Sequence, residues 1–281
     1  MTDGQLAVGL VLVSALMHAT WNAIVKLSGE RVAVIGVIET LCCAIALSLT
    51  PLVPFPSAAV WPYLGVSMAI AVAYKVAFLG AYRHGDFTVA YPLMRGSSPL
   101  VVALITIVFG LDTLPAVGYA GIALISLGLF ALVDWKHGRP VLVVFAVCGG
   151  FALGTSTLVD GTAVRTFGQP FSYLVWLEVL EHLALPVYAL TCRRPQYFAV
   201  LRGQWKMAGF VAINRIGSYG LMIFAMTLAA IAPLSALRET SVVFAALIGY
   251  FVLKEPLGVR RALATSTVAG GILVLHLSRI A

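Results

Sequence analysis

Apolar runs separated by short polar stretches recur along the whole chain. Charged residues, Pro or Gly interrupt these runs at fairly regular intervals, and most runs approach the roughly 20 apolar residues that a membrane-spanning helix needs. The pattern predicts ten spans, at residues 6–27, 32–52, 61–82, 87–110, 115–134, 141–159, 171–191, 206–228, 231–252 and 260–277. The sequence therefore predicts an all-α integral membrane protein with ten transmembrane helices and short connections.

A segment of the first half is repeated in the second half. Arg-Gly-Ser-Ser at 95–98, followed by Ala-Leu-Ile at 103–105, aligns with Arg-Glu-Thr-Ser at 238–241 and Ala-Leu-Ile at 246–248, at an offset of 143 residues. In each copy an acid, Asp112 or Glu255, follows the arginine after 17 residues. Chance matches are the alternative in so apolar a sequence.

A five-helix repeat has an odd number of spans, so its second copy enters the membrane from the opposite side. We therefore predict two inverted five-helix repeats, residues 1–137 and 138–281. Secondary transporters commonly have this construction, with a substrate site near the midplane between the halves.

The composition of the chain excludes a large soluble domain and catalysis by one. Of the 281 residues, 61% are hydrophobic and 10% are charged, and the mean hydropathy is +1.00, whereas soluble domains are about 45–50% apolar and about 25% charged. The net charge of +7 is assigned to headgroups and orientation, not to nucleic acid. Cys42, Cys43, Cys148 and Cys192 have no CxxC spacing, so we predict packing roles and neither disulfides nor a metal site.

The first apolar run is predicted to be a retained helix. Asp3 precedes this run and no Lys or Arg does, whereas a signal peptide begins with a positively charged region.

Basic residues in the predicted connections are distributed very unequally between the two faces of the membrane. One face carries two, Arg165 and Arg279. The other carries twelve, Lys26, Arg31, Arg83, Lys136, Arg139, Arg193, Arg194, Arg202, Lys206, Lys254, Arg260 and Arg261. The positive-inside rule places this second face in the cytoplasm and both termini outside.

Four basic residues fall inside predicted spans: Lys75, Arg95, Arg215 and Arg238. Each would cost at least ~2.5–3.5 kcal/mol in lipid, so we expect all four to face protein or water. They occupy equivalent helices of the two halves, which predicts a central cavity that contains them. The alternatives are local pairing, for example of Arg238 with Glu239, and snorkelling towards a helix end.

Acids inside the spans number four: Glu39, Glu178, Glu181 and Glu239. Asp86 and Asp160 are expected at solvated helix ends. Cations outnumber acids on the candidate lining helices, which predicts a substrate with a carboxylate, phosphate or phosphonate group, since Arg binds these groups with two hydrogen bonds.

Polar and aromatic residues accompany the four cations at helical spacing. Ser14, His18, Asn22 and Lys26 form one stripe beside Trp21, Tyr91 and Ser98 flank Arg95, and Tyr219 follows Arg215. Tyr74 adjoins Lys75. His18, Trp21, Asn22, Tyr74, Tyr91, Ser98 and Tyr219 are candidate substrate ligands, whereas Ser14 is assigned to packing and Lys26 to a connection. Interhelical packing is the alternative for the candidate ligands.

Proton coupling is predicted at Glu178 and His182, which share a helix face with Glu181, and at Glu239. The alternative is that these acids pair with Arg215 or Arg95. Glycines at 150 and 154, and at 270 and 271, are expected to let neighbouring backbones approach closely.

The chain resembles the EamA-type family of the drug/metabolite transporter superfamily. The resemblance covers essentially the whole chain and is carried by Gly-Leu-Asp-Thr-Leu-Pro at 110–115 and Leu-Lys-Glu-Pro-Leu at 253–257. It implies secondary transport of small metabolites through a cavity walled by the third, fourth, eighth and ninth spans. Asp112 stands where the family usually has Glu, and Val242 stands where the first copy has Pro99.

Residues 18–26 are similar to a segment found in a subgroup of this family associated with phosphonate utilisation. This finer resemblance agrees with the acidic substrate that the four intramembrane cations predict.

These observations predict an inner-membrane secondary transporter that moves a small anionic or zwitterionic metabolite by alternating access, coupled to protons and without a cofactor. The alternatives are an exporter of cationic or hydrophobic compounds, an intramembrane enzyme, and a non-transporting scaffold. No HExxH, GxSxG or paired-Asp motif is present, so we expect no enzyme.

Overall fold

The computed structural model of the protein describes residues 2–28, 31–84, 87–111, 114–137, 139–192, 194–255 and 258–278. Within these residues the chain forms helices and no strand. The helices are α1 (Asp3–Lys26), α2 (Arg31–Leu49), α3 (Trp61–His84), α4 (Phe87–Phe109), α5 (Ala116–Ala131), α6 (Pro140–Phe167), α7 (Pro170–Glu181), α8 (Ala184–Cys192), α9 (Arg194–Gly203), α10 (Trp205–Leu228), α11 (Ile231–Leu237), α12 (Thr240–Phe251) and α13 (Val259–Leu277). Short 3-10 turns follow α2 and precede α6.

In the part of the chain that the structure describes, eight helical segments are long and apolar enough to cross a membrane: Asp3–Lys26, Val32–Leu52, Trp61–Ala81, Val89–Phe109, Pro140–Phe167, Pro170–Cys192, Trp205–Leu228 and Ile231–Phe251. The fifth predicted span contains α5, a shorter apolar helix, and the tenth lies within α13. The protein is therefore an all-helical, multi-pass membrane protein, and every predicted span is at least partly helical.

Two predicted spans are each divided into two helices. Residues 171–191 form α7 and α8, and residues 231–252 form α11 and α12, with Arg238 and Glu239 at the division. Around this division the amide of Glu239 donates to the Ala236 carbonyl at 3.0 Å and the amide of Ser241 to the Arg238 carbonyl at 3.1 Å. These tighter bonds keep the buried backbone satisfied while the α-helix is interrupted.

Helix α6 extends well beyond its predicted end at residue 159. It ends at Gly168, whose positive φ of 64° gives a left-handed cap and whose amide donates to the Val164 carbonyl. Asp160 and Arg165 consequently lie inside the helix, and the prediction that Asp160 occupies a solvated end is wrong. The predicted connection from Arg193 to Lys206 likewise contains a helix, α9.

The helices pack in two similar groups. Helix α1 packs against α10 and α12, whereas α6 packs against α3 and α4. Helices α5 and α13 lie against each other along much of their length.

Glycines sit where helices approach most closely. A Cβ atom on Gly150 would lie 2.6 Å from the Cβ of Ser97, and one on Gly154 would lie 2.8 Å from the Ser98 carbonyl, so the predicted close approach at these two positions is confirmed. At the α5–α13 contact a Cβ on Gly271 would lie 2.8 Å from the Ile125 amide nitrogen, but one on Gly270 would meet nothing nearer than 4.0 Å.

The adjacent glycines of α13 should therefore respond oppositely to the same substitution. Gly271→Ala should lower the free energy of unfolding by about 1–3 kcal/mol, because the added methyl group meets backbone that cannot move aside. Gly270→Ala should be neutral or slightly stabilising, since alanine favours the helix. Thermal unfolding of both purified variants in one detergent measures the difference, and equal melting temperatures would contradict this account of the contact.

Candidate functional site

The charged side chains of the spans meet in three neighbouring clusters inside the helical bundle. The first, the Glu39 cluster, is centred on a carboxylate that is 2% exposed. Glu39 Oε2 lies 2.8 Å from Lys75 Nζ, and Glu39 Oε1 lies 3.1 Å from Arg215 Nη1. His182 completes this cluster, with Nδ1 3.8 Å from Glu39 Oε2 and Nε2 2.7 Å from Glu178 Oε2. Two of the four predicted cations, Lys75 and Arg215, are thus already paired.

Arg95 and Glu239 form a second buried ion pair. Arg95 Nε lies 3.0 Å from Glu239 Oε2, and Arg95 Nη2 donates to Ser241 Oγ at 3.1 Å. Glu239 therefore pairs with the arginine of the other repeat copy, and the alternative that it neutralises its neighbour Arg238 is wrong.

A cavity of about 130 Å³ adjoins Arg95, and we call it the Arg95 cavity. Four predicted ligands, His18, Asn22, Tyr91 and Arg95, line it together with Ser241, Thr265, Arg261 and several apolar residues. The buried hydroxyl of Thr265 has no hydrogen-bond partner. The cavity therefore offers polar groups to a small occupant.

The other predicted aromatic and hydroxyl ligands lie outside the lining of the Arg95 cavity. The Trp21 ring contacts the Arg215 guanidinium at 5.8 Å, and Trp21 Nε1 donates to His18 Nδ1 at 3.3 Å. Tyr74 packs beside Phe78. Ser98 is buried at the contact of α4 with α6. Ser14 donates to the Ser218 carbonyl at 2.6 Å, which confirms its packing role.

Arg238 is the one cation of the four with no carboxylate oxygen within 4.0 Å among the described residues. Its guanidinium lies against the ring of Tyr219, 5.3 Å from the ring centroid. Its buried Nε atom has no hydrogen-bond partner. Arg238 thus has hydrogen-bonding capacity left for a ligand.

Asp160 is the centre of the third cluster, which the sequence did not reveal. Its side chain is 0% exposed and accepts hydrogen bonds from hydroxyl groups on three other helices and on α6 itself. The donors are Ser67 Oγ at 2.7 Å, Tyr173 OH at 2.7 Å, Ser156 Oγ at 3.3 Å and Tyr219 OH. Ser67 Oγ also lies 3.4 Å from Glu181 Oε1. One sign of this cluster is visible in the sequence: Ser156 lies one helical turn before Asp160, on the same helix face, and can donate to it.

The interior of the bundle contains five carboxyl groups and four cations. Glu239 is the sole acid in the sequence of the four cation-bearing spans, as counted above, but Glu39, Asp160, Glu178 and Glu181 reach the interior from α2, α6 and α7. The positive charge that the sequence predicts is therefore local to Arg238 and not general to the interior.

Cys42, Glu178 and His182 bring three possible metal-binding atoms within 4.8 Å of one another. Cys42 was predicted to have only a packing role. Because His182 already binds Glu178 and lies 3.8 Å from Glu39, which holds both Lys75 and Arg215, the nearby positive charges disfavour a divalent cation at this position.

Solvent-accessible ion pairs join α1, the segment after α12, and α13, next to Arg261 of the Arg95 cavity. Glu255 follows α12 and binds Lys26 Nζ at 2.5 Å and Arg261 Nη1 at 3.1 Å. Hydrogen bonds from Lys26 first and Arg261 second lower the pKa of the Glu255 carboxyl. Asp112, the predicted counterpart of Glu255, and Asp86 lie outside the described residues.

The fold and these clusters define a helical, multi-pass membrane protein with a charged interior. No protein-family model matches the sequence, and no curated protein matches it. A solved structure described as "Crystal structure of protein" is similar, with a TM-score of 0.74, 16% sequence identity and 98% of each chain covered. At this identity the likeness concerns the fold alone.

Proposed function

We propose that this protein is a secondary transporter of the EamA type within the drug/metabolite transporter superfamily, and that it moves a small anionic or zwitterionic metabolite by alternating access. The proposed location is the inner membrane, with both termini outside, as the basic residues of the connections favour. No cofactor or chemical step is part of this proposal.

The helix bounds support two inverted repeats. Shifting α3 by the offset of 143 residues gives 204–227, against Trp205–Leu228 for α10. Shifting α4 gives 230–252, against Ile231 to Phe251 for α11 and α12 together. The packing of α1 on α10 and α12 corresponds to that of α6 on α3 and α4. Two such halves supply the two equivalent arrangements that alternating access needs.

One observation carries the choice of substrate: Arg238 is an intramembrane cation with no carboxylate partner among the described residues. A buried charge without a partner is costly, and a ligand carboxylate, phosphate or phosphonate would satisfy it with two hydrogen bonds. Arg238 lies in the interruption between α11 and α12, and interrupted spans are where secondary transporters commonly bind substrates.

A ligand-stabilisation screen tests this function directly, because a compound that binds the folded state raises its melting temperature. The purified protein is heated with L-alanine, L-glutamate, methylphosphonate, inorganic phosphate, glycerol 3-phosphate, choline or tetraphenylphosphonium. We expect stabilisation by one of the acidic or zwitterionic compounds, followed by its uptake or exchange in proteoliposomes. Stabilisation only by choline or tetraphenylphosphonium would instead favour an exporter of cationic compounds and end the anion proposal.

A further inference from the structure

Asp160 and Glu181 differ from the other acids of the interior in their surroundings. Glu39, Glu178 and Glu239 each have a Lys, Arg or His nitrogen within 4.0 Å. Among the described residues, neither the Asp160 nor the Glu181 carboxylate has one. These two carboxyl groups must therefore be stabilised by something other than a nearby basic nitrogen.

The Ser67 hydroxyl lies between the two carboxyl groups. Ser67 Oγ is 2.7 Å from Asp160 Oδ1 and 3.4 Å from Glu181 Oε1. A hydroxyl has one proton and can donate to only one carboxylate at a time, so both contacts are favourable together when one carboxyl group is protonated. The geometry fits a pair of acids that carries a proton.

The charge balance of the interior also indicates one bound proton. With His182 as a neutral hydrogen-bond partner of Glu178, the five carboxylates and four cations of the interior leave one negative charge. Two neighbouring carboxylates in a poorly hydrated site cannot both ionise cheaply, and uncompensated charge within a membrane is disfavoured. A single proton on the Asp160–Glu181 pair brings the interior to neutrality.

We propose that Asp160, Ser67 and Glu181 form a proton-binding site in which the two carboxyl groups hold one exchangeable proton. In the transfer, the Glu181 O–H bond breaks and its proton goes to Ser67 Oγ, while the Ser67 proton moves to Asp160 Oδ1 and forms a new O–H bond there. No other reactant is consumed. Glu181 is partly exposed and Asp160 is fully buried, so Glu181 is the group that exchanges protons with water.

Tyr219 connects this site to Arg238. Its hydroxyl donates to Asp160 Oδ2, and its ring lies against the Arg238 guanidinium. This step rests on the proposed function: an anion bound at Arg238 would reduce the positive potential at the pair and favour proton uptake. Because such coupling is reciprocal, a lower pH should strengthen anion binding.

The other charged and titratable groups on helices packed against the pair have partners that hold them in place. They are Glu39 of α2, Lys75 of α3, Arg95 of α4, Tyr173 and Glu178 of α7, His182 directly after α7, and Arg215 and Tyr219 of α10. The acid pair and Arg238 are therefore the groups whose charge balance a proton and an anion would change.

A ligand-free experiment tests the shared proton. The infrared carboxylic-acid C=O stretch of the purified protein is followed from mildly acidic to mildly alkaline pH. The intact protein should show a protonated carboxyl band that is lost in Asp160→Asn and in Glu181→Gln, because the four cations then balance the four interior carboxylates that remain. Glu255→Gln, at an exposed acid, is the control that should keep the band.

The serines of this cluster supply a second matched pair. Ser67→Ala removes the bridging hydroxyl and should shift the band, whereas Ser67→Thr keeps a hydroxyl and should preserve it. Ser156→Ala removes another hydroxyl from Asp160 but not the bridge, and should leave the band in place. Absence of the band from the intact protein would overturn the proposal. Persistence of the band in the carboxyl variants would also overturn it, and if only one of them folds, persistence in that variant is sufficient.

Proton uptake on binding tests the link to Arg238. With methylphosphonate as probe in weakly buffered solution, a pH-sensitive dye should report up to one proton taken up per anion bound, and the dissociation constant should fall up to tenfold for each unit of acidification. Both effects should disappear in Asp160→Asn. Binding that is independent of pH would refute the coupling and leave the transport proposal intact, whereas an intact carboxyl band with no acidic ligand bound would refute the transport proposal alone.

Discussion

Replacing Arg238 with Gln should weaken binding of the acidic ligand by about 10- to 150-fold, because it removes a charge-assisted hydrogen bond worth roughly 1.5–3 kcal/mol. The melting temperature of the ligand-free protein should stay the same or rise slightly, since Arg238 holds no carboxylate among the described residues and an unpaired charge in the interior is costly. Arg238→Lys should recover part of the affinity, because the charge returns without the planar fork.

Arg95→Gln is expected to behave differently from Arg238→Gln. Arg95 neutralises Glu239, which is 3% exposed, and removing one member of a buried pair costs about 3–5 kcal/mol of stability. The exposed Arg202→Gln is the control for loss of one positive charge. Dissociation constants and melting temperatures of the three variants separate the roles, and unchanged affinity in Arg238→Gln would remove this arginine from the binding site.

The second large effect is expected at Glu39. Glu39→Gln leaves Lys75 and Arg215 without their common carboxylate and should lower the free energy of unfolding by about 3–5 kcal/mol. The exposed Glu255→Gln should cost at most about 1 kcal/mol, because water and salt screen its pairs. Thermal unfolding in the same detergent compares the two.

A double variant tests the cause of the Glu39 effect. Adding Lys75→Met to Glu39→Gln removes one of the two stranded cations and should recover part of the lost stability. If the stability losses of the two substitutions simply add, Glu39 stabilises the protein by a means other than neutralising Lys75.

The spans could be predicted because a helix in lipid requires a long apolar run. The apolar runs do not show where a span is interrupted, since the division at Arg238 and Glu239 depends on local backbone hydrogen bonds. The sequence located the four intramembrane cations but not their partners. Glu239 forms its ion pair with Arg95 of α4, 3.0 Å away, and not with its neighbour Arg238, because folding brings the distant arginine to this carboxylate.

Asp160 escaped prediction for two physical reasons. The span predicted at 141–159 stops just before Asp160, whereas α6 ends at Gly168. The hydroxyl groups that surround the carboxylate come from α3, α7 and α10, so only the folded chain brings them together.

The ion pairs of Lys26, Glu255 and Arg261 differ in kind from those of the interior. They lie where water reaches them, so their strength is modest and falls as salt concentration rises. If α1 and α13 moved away from the segment that contains Glu255, water would replace these ion-pair contacts with little loss of free energy. The buried pairs at Glu39 and Glu239 would stay intact. The ion pairs of the interior thus resist separation of the helices, whereas those of Glu255 with Lys26 and Arg261 add little resistance to it.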